Sequence, residues 1–262
     1  MSGAADTLVL KFGGTSLESP ARQVAAAQRV KAVREAGRRV VVVVSARGHT
    51  TDHILEDLWR LAGHEPSGRE ADRALATGED LSAALLAATL EALQVPARSL
   101  RGGEAGIEAE GRFSQGRVTS VAPQRLLSLL DRGVVPVVSG FQATRRDGET
   151  ITLGRGGSDT SAVALAAALG ASCDIVTDVD AVYDRDPNVD ETARPFDELT
   201  HDELVELAER GAQVMHVAAA RYAALHEVPL HVYSFRAPLT GSGFGTRIVA
   251  GSPERLRVGE RS

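Results

Sequence analysis

The stretch TLGRGGSDTSAVALAAALGASCDIVTD, residues 152–178, decides the fold. It runs from a short β-branched segment through a glycine loop into an alanine- and leucine-rich run. That run stops at Gly170, and the apolar strand candidate Asp174–Asp178 follows. Ser158 is placed to cap the helix that continues through Ala162–Leu169, and Gly170 suits its C-terminal end. A glycine loop at a helix start turns free N–H groups and the positive end of the dipole toward an anion. Within it, Arg155 offers a bidentate fork for a carboxylate or phosphate. The dinucleotide pattern GxGxxG fails, because Asp159 stands where the last glycine belongs. An acidic residue in a first helical turn also serves as a plain dipole-satisfying cap.

Just upstream, Asp147-Gly148 is a tight-turn pair between Phe141–Thr144 and Thr150–Leu153, which predicts a hairpin. Further out, Thr7–Lys11, Arg39–Ser45, Val134–Ser139 and Leu230–Ser234 read as strands. Val40–Val44 is continuously apolar rather than alternating, as expected of a strand buried on both faces. Ser19-Pro20 opens a helix that Gly37 closes. Asp72–Leu93, Pro123–Asp131, His201–Arg210 and Val214–Leu225 have helical composition and spacing. Strands and helices alternate, so the expected class is α/β, with helices on both faces of a mainly parallel sheet. Such sheets bind ligands beyond the carboxyl ends of their strands.

Two other segments fall at such ends. Lys11-Phe12-Gly13-Gly14-Thr15-Ser16 follows the first strand; adjacent glycines admit an anion to the backbone, and Lys11 adds a point charge. The lysine precedes the glycines, so this is no Walker A loop, and a plain turn is the alternative. Thr177–Pro187, TDVDAVYDRDP, is acidic, but the calcium-loop pattern fails at Tyr183 and Val189, where Gly and Glu belong. A solvated turn and a nucleotide-lining loop are the readings left for it.

Composition excludes other classes. Of 262 residues 43% are hydrophobic and 24% charged, which is globular, and the net charge of −6 lacks the basic surface that nucleic acid demands. Only Lys11 and Lys31 are lysines among 29 Lys and Arg residues, so any step that needs an amine has two candidates. The single Cys173 is expected in the core of a reduced, cytoplasmic protein. No secretion signal is indicated, and Val40–Val44 and Ala162–Leu169 are far too short to span a membrane. No HExxH, CxxC or GxSxG motif is present, and Gly251–Ser262 reads as a loose tail.

Taken in order, these segments resemble the catalytic domain of the aspartate kinases, in the amino acid kinase family. The carriers are KFGGTS at 11–16, VVVVSARGHTTD at 41–52, GED at 78–80, GFQ at 140–142 and GETITLGRGGSDTSA at 148–162, followed by TDVDAVYDRDP at 177–187 and GAQVMH at 211–216. The resemblance implies a three-layer αβα fold over residues 1–250. Acceptor binding falls in about 1–150 and nucleotide binding in about 151–250. The implied reaction is phosphoryl transfer from ATP with Mg²⁺ to the side-chain carboxylate of L-aspartate, in a cytoplasmic homodimer.

By the same resemblance Lys11 bridges the phosphate and the acceptor carboxylate, and Asp159 orients it. Gly13, Gly14 and Thr15 cradle phosphates. Ser45, Thr51, Glu79, Arg155 and Ser158 hold aspartate, with Arg155 on the α-carboxylate and Glu79 near the ammonium. Thr177, Asp178, Tyr183, Arg185, Asp186 and Gln213 line the nucleotide pocket.

The departures lie on the nucleotide side. Gln213 and Asn188 stand where the family carries a lysine and an arginine, with Arg185 available to substitute for one of them. Val217, Ala143 and Ala181 also depart from the family pattern. Too few residues follow Thr246 for an ACT regulatory domain, so a kinase without ACT feedback is expected. Two alternatives stand beside it: a kinase of another small amino or carboxylic acid, and a catalytically weakened homologue that serves as a regulatory or scaffolding subunit.

Overall fold

A computed structural model describes residues 6–64, 67–185, 189–211, 215–239 and 243–251. Asp186, Asn188, Gln213 and nearly all of the C-terminal tail therefore lie outside the described residues. In chain order the elements begin with β1 (Thr7–Phe12), α1 (Pro20–Glu35), β2 (Arg39–Val44), α2 (Thr50–Ala62), α3 (Arg69–Ala92) and β3 (Ala97–Leu100). They continue with β4 (Ile107–Glu110), β5 (Arg117–Val121), α4 (Gln124–Asp131), β6 (Val135–Ser139), β7 (Gln142–Thr144) and β8 (Thr150–Thr152). The last third holds α5 (Gly157–Leu169), β9 (Ser172–Thr177), β10 (Glu198–Thr200), α6 (His201–Glu209), α7 (Val217–Leu225), β11 (Leu230–Ser234) and β12 (Thr246–Val249).

The main sheet has eight strands in the order β10-β12-β11-β9-β1-β2-β6-β3, parallel throughout except for the β11–β12 pair. The valine run explains its layering. Val40, Val42 and Val44 pack into a core with Ala26, Ala27 and Val30 of α1 and Leu86 and Leu90 of α3. Val41 and Val43 face the opposite way, into a core with α4, α5, α6 and α7. Each residue of the run is buried, so no polar alternation is possible, and the αβα sandwich follows. Cys173 sits inside the second core, where burial pushes its thiol up. Among the described residues no helix is long and apolar enough to cross a membrane.

The predicted hairpin is present, with Gln142 opposite Thr152 and Gly148 at positive φ in the turn. It belongs to a second, four-stranded sheet in the order β5-β4-β7-β8, of which the sequence disclosed only this pair. Several boundaries need correction. Ser158 does not cap α5; Gly156 does, in the left-handed conformation, and Ser158 lies inside the first turn. The long helix α3 starts at Arg69, ahead of the expected Asp72, and α7 starts at Val217 behind an N-cap His216. Helix α6 has a capping box that the sequence reading passed over, Thr200 with Glu203.

Candidate functional site

Parallel strands point one way, so β1, β2, β6, β9 and β11 deliver their following loops to one edge. Backbone hydrogen bonds knit those loops together. Gly13 N–H donates to Val176 O at 3.1 Å, Ser45 N–H to Phe12 O at 3.1 Å, and Gly140 N–H to Val44 O at 2.9 Å. Gly48 N–H donates to Gly14 O at 3.0 Å, and a β-carbon on Gly14 would lie 2.6 Å from Ala46 O. The first glycine loop is thus pressed against the segment after β2. Thr15 opens a short 3₁₀ turn there.

Lys11 and the GRGGSD loop meet at this edge. Lys11 Nζ lies 2.7 Å from Asp159 Oδ1, and both side chains are about nine-tenths covered. Asp159 occupies the first turn of α5, so its carboxylate sits in the field of the free amides there and still balances the lysine. A β-carbon on Gly13 would lie 3.7 Å from Lys11 Nζ, so the backbone of the first loop runs alongside the amine. The second loop is equally tight: a β-carbon on Gly157 would lie 2.9 Å from Phe141 Cδ2, and one on Gly140 would lie 2.9 Å from Ser158 Cβ. Ser158 is correspondingly buried. Arg155, in contrast, is exposed and has no ion-pair partner among the described residues.

Glu79 closes the side of the site. It rides on α3, where the preceding Gly78 lets the helix approach Ala46; a β-carbon there would be 2.9 Å from Ala46 Cβ. Glu79 Oε1 accepts a hydrogen bond from Ala46 N–H at 2.9 Å, while the buried Oε2 has no partner. Burial raises its pKa to about 7, the Ala46 amide opposing the shift and the neighbouring Asp80 charge adding to it. A buried carboxylate with one idle oxygen is suited to a cation that arrives from outside. Ser45 and Thr51 are half-buried on either side of this contact, at the end of β2 and the start of α2.

One supporting residue escaped the sequence reading. Asp72, fully buried in the first turns of α3, accepts from Ser114 N–H at 2.9 Å, Ser114 Oγ at 2.7 Å and Thr152 N–H at 2.6 Å. It joins α3 to both the small sheet and the strand that leads into Gly154 and Arg155. Its sequence context reads as an ordinary acidic helix start, so nothing local marks it.

On the far side, Thr177 Oγ donates to Asp178 Oδ1 at 3.2 Å at the end of β9. Tyr183 forms an isolated bridge with Pro195 and lines a cleft of about 320 Å³ with Asp180, Asp197 and Ser234. Arg185 does not stand free as the substitute cation expected of it. Its guanidinium is held by Asp190 at 3.0 Å and by Asp184 at 3.5 Å. Asp186 and Gln213 fall outside the described residues. The loop before α7 still touches the GRGGSD loop, since a β-carbon on Gly156 would lie 2.1 Å from His216 Cβ.

Comparison with known proteins accords with this geometry. Residues 6–234 match the Amino acid kinase family. The chain is 47% identical to an aspartokinase of Geobacillus stearothermophilus and 44% identical to one of Thermus thermophilus, each over 228 residues, 87% of this chain and 56% of the relative. It therefore spans little more than half the length of these relatives. The crystal structure of E. coli aspartokinase III in complex with aspartate and ADP superposes with a TM-score of 0.84 at 26% identity, covering 95% of this chain and 66% of that one.

Proposed function

The chain belongs to the amino acid kinase family, and we propose that it transfers the γ-phosphoryl group of ATP to the side-chain carboxylate of L-aspartate in the cytoplasm. The aspartokinase relatives support this acceptor, and so does the likeness to a structure that holds aspartate and ADP. The observation that carries it is the Lys11–Asp159 pair, buried where the two glycine loops converge.

The chemistry needs little more than placement. An aspartate side chain is ionised at neutral pH, so one of its oxygens attacks the γ-phosphorus without a base. A new P–O bond forms, the bond to the β-phosphate oxygen breaks, and ADP leaves with that electron pair. Two anions must be held together meanwhile, which is electrostatic work. Lys11 spans carboxylate and phosphoryl group, and Asp159 keeps the amine aimed. Gly14 and Thr15 present the first loop to the phosphates, while Gly13 N–H is held by Val176 O. Arg155 takes the α-carboxylate, and the idle Glu79 Oε2 takes the ammonium. Ser45, Thr51 and Ser158 fill out the acceptor wall, and Thr177, Asp178 and Tyr183 border the nucleotide.

Among the described residues no three His, Cys, Asp or Glu side chains stand together to cage a metal. The oxygen donors at the end of β9, the Thr177 hydroxyl and the Asp178 carboxylate, would suit a Mg²⁺ bound with the nucleotide. Bound there, the ion supplies neutralisation of the charge on the phosphate oxygens. The reading includes a homodimer, for which exposed Leu55 and Trp59 of α2 and Leu81 and Leu85 of α3 offer apolar surface. Sedimentation velocity tests that assembly.

A coupled assay with MgATP, run with and without L-aspartate, decides the function. Aspartate-dependent ADP release, with hydroxylamine trapping the acyl phosphate, is expected. Release with other small acids and none with aspartate would move the acceptor, and no release with any acid would overturn the reading.

A further inference from the structure

The nucleotide side has lost the cations that the family resemblance places at 188 and 213, and Arg185 is neutralised by two aspartates. A triphosphate still needs positive charge along its path. The segment after β11 supplies it. Ser234 pairs in register with Thr177, and Phe235 N–H donates to Thr177 O at 2.7 Å. Thr177 follows Val176, whose carbonyl receives Gly13 N–H. Residues 234–236 are therefore seated beside the first glycine loop.

Arginines fix this seat from below. Arg29 of α1 is buried and donates to Pro238 O at 3.1 Å and also to Ala237 O and Phe235 O. Arg22 donates to Thr15 O and stacks on the Phe235 ring at 4.5 Å. The same ring carries Arg236, with its guanidinium carbon at 4.8 Å. Arg236 is exposed, lines the cleft that holds Tyr183, and has no carboxylate partner among the described residues. The other charged groups lining the cleft, Asp180 and Asp197, repel phosphate and suit hydroxyl groups instead.

We infer that Arg236 is the phosphate-binding cation of the nucleotide site, held by Phe235 at the junction of the cleft and the first glycine loop. The inference rests on the nucleotide reading above and names a residue toward which nothing in the sequence pointed. Its ligand is the polyphosphate of a nucleoside di- or triphosphate, and the base and sugar lie toward Tyr183 and the two aspartates.

Calorimetric binding of MgADP and of adenosine to the full chain tests it. Arg236→Gln is expected to weaken MgADP by about tenfold or more and to leave adenosine within about twofold. Arg236→Lys should recover part of the MgADP affinity and none of any bidentate geometry. The position is exposed, so the variants fold, and thermal melts verify that. Wild-type MgADP affinity in Arg236→Gln, or equal losses for MgADP and adenosine, would overturn the inference. A wild-type chain that binds neither probe would bring down the nucleotide reading itself, a result distinct from the first.

Discussion

The two halves of the strand-end cleft are built in opposite ways. On the acceptor side Lys11, Glu79 and Ser158 are buried, each fixed by a backbone or ionic contact no longer than about 3 Å or by a glycine that leaves no slack. On the other side most of the charged groups, Asp178, Asp180, Arg185 and Arg236 among them, are exposed, and one of the arginines is spent on neighbouring aspartates. On the proposed function the contrast follows from ligand size. A small amino acid offers few contacts, so each must be dry and exact in direction to discriminate. A nucleotide offers a long polyanion and a large flat base, which an open cleft with the cation inferred above would grip.

Substitutions can break or sharpen that contrast. Lys11→Ala should give the largest effect, a fall in kcat of at least about a hundredfold in the coupled assay, since the amine proposed to stand between the two reacting anions is lost. Retention of even a tenth of wild-type turnover would remove Lys11 from the reaction. Next comes Asp72→Ala, which leaves two buried amides and a hydroxyl unpaired; about 3 kcal/mol of stability should disappear in urea melts. An unaltered melt would mean that water replaces the carboxylate.

Glu79→Gln separates function from stability. The folded pKa of about 7 lies above the ordinary 4.5, so the native state holds an extra proton between those values. Stability therefore falls as pH rises from about 4.5 to 7, and the full cost, about 3 kcal/mol, is present above pH 7. The glutamine variant should melt higher than wild type at pH 8 and equally at pH 4, while its aspartate KM rises by about thirtyfold. The wild-type aspartate kcat/KM should decline as pH drops below 7 and the carboxylate takes up its proton. A flat pH profile would release Glu79 from the ammonium.

Arg155→Lys should raise the aspartate KM by about tenfold with kcat nearly constant, because one ammonium cannot reproduce a planar fork. The smallest change is expected from Arg185→Gln, less than about threefold in the MgATP KM, given its two carboxylate partners. A larger loss would show that those ion pairs open when nucleotide arrives.

Much of the scaffold was legible because burial on two faces leaves an unambiguous mark. Val40–Val44 dictated a central parallel strand, and its residues divide between two cores as that pattern requires. The glycine loops were legible as loops at strand ends, and their meeting at one edge is what the structure adds. Strands β3, β4, β5, β10 and β12 were not, since each has at most five residues and only partial burial, so its state is set by the strand it joins. Helix α2 buries no residue and follows a loop rather than a cap signal. Within the candidate site, Lys11, Asp159 and the glycines were singled out from their own segments, and their expected roles came from the family resemblance. Asp72 gains its role through partners tens of residues away, Ser114 and Thr152, and Arg236, the cation inferred above, is seated by its neighbour Phe235, whose amide donates to Thr177 O. No local pattern encodes such meetings.

The scarcity of lysine has a practical outcome. One of the two side-chain amines, Lys31, extends from the outer surface of α1 beside Glu35, and the other is the covered Lys11. An acylating reagent thus meets an open target and a shielded one in the same molecule, and the ratio of the two adducts in a peptide digest becomes an internal gauge of how well Lys11 is covered.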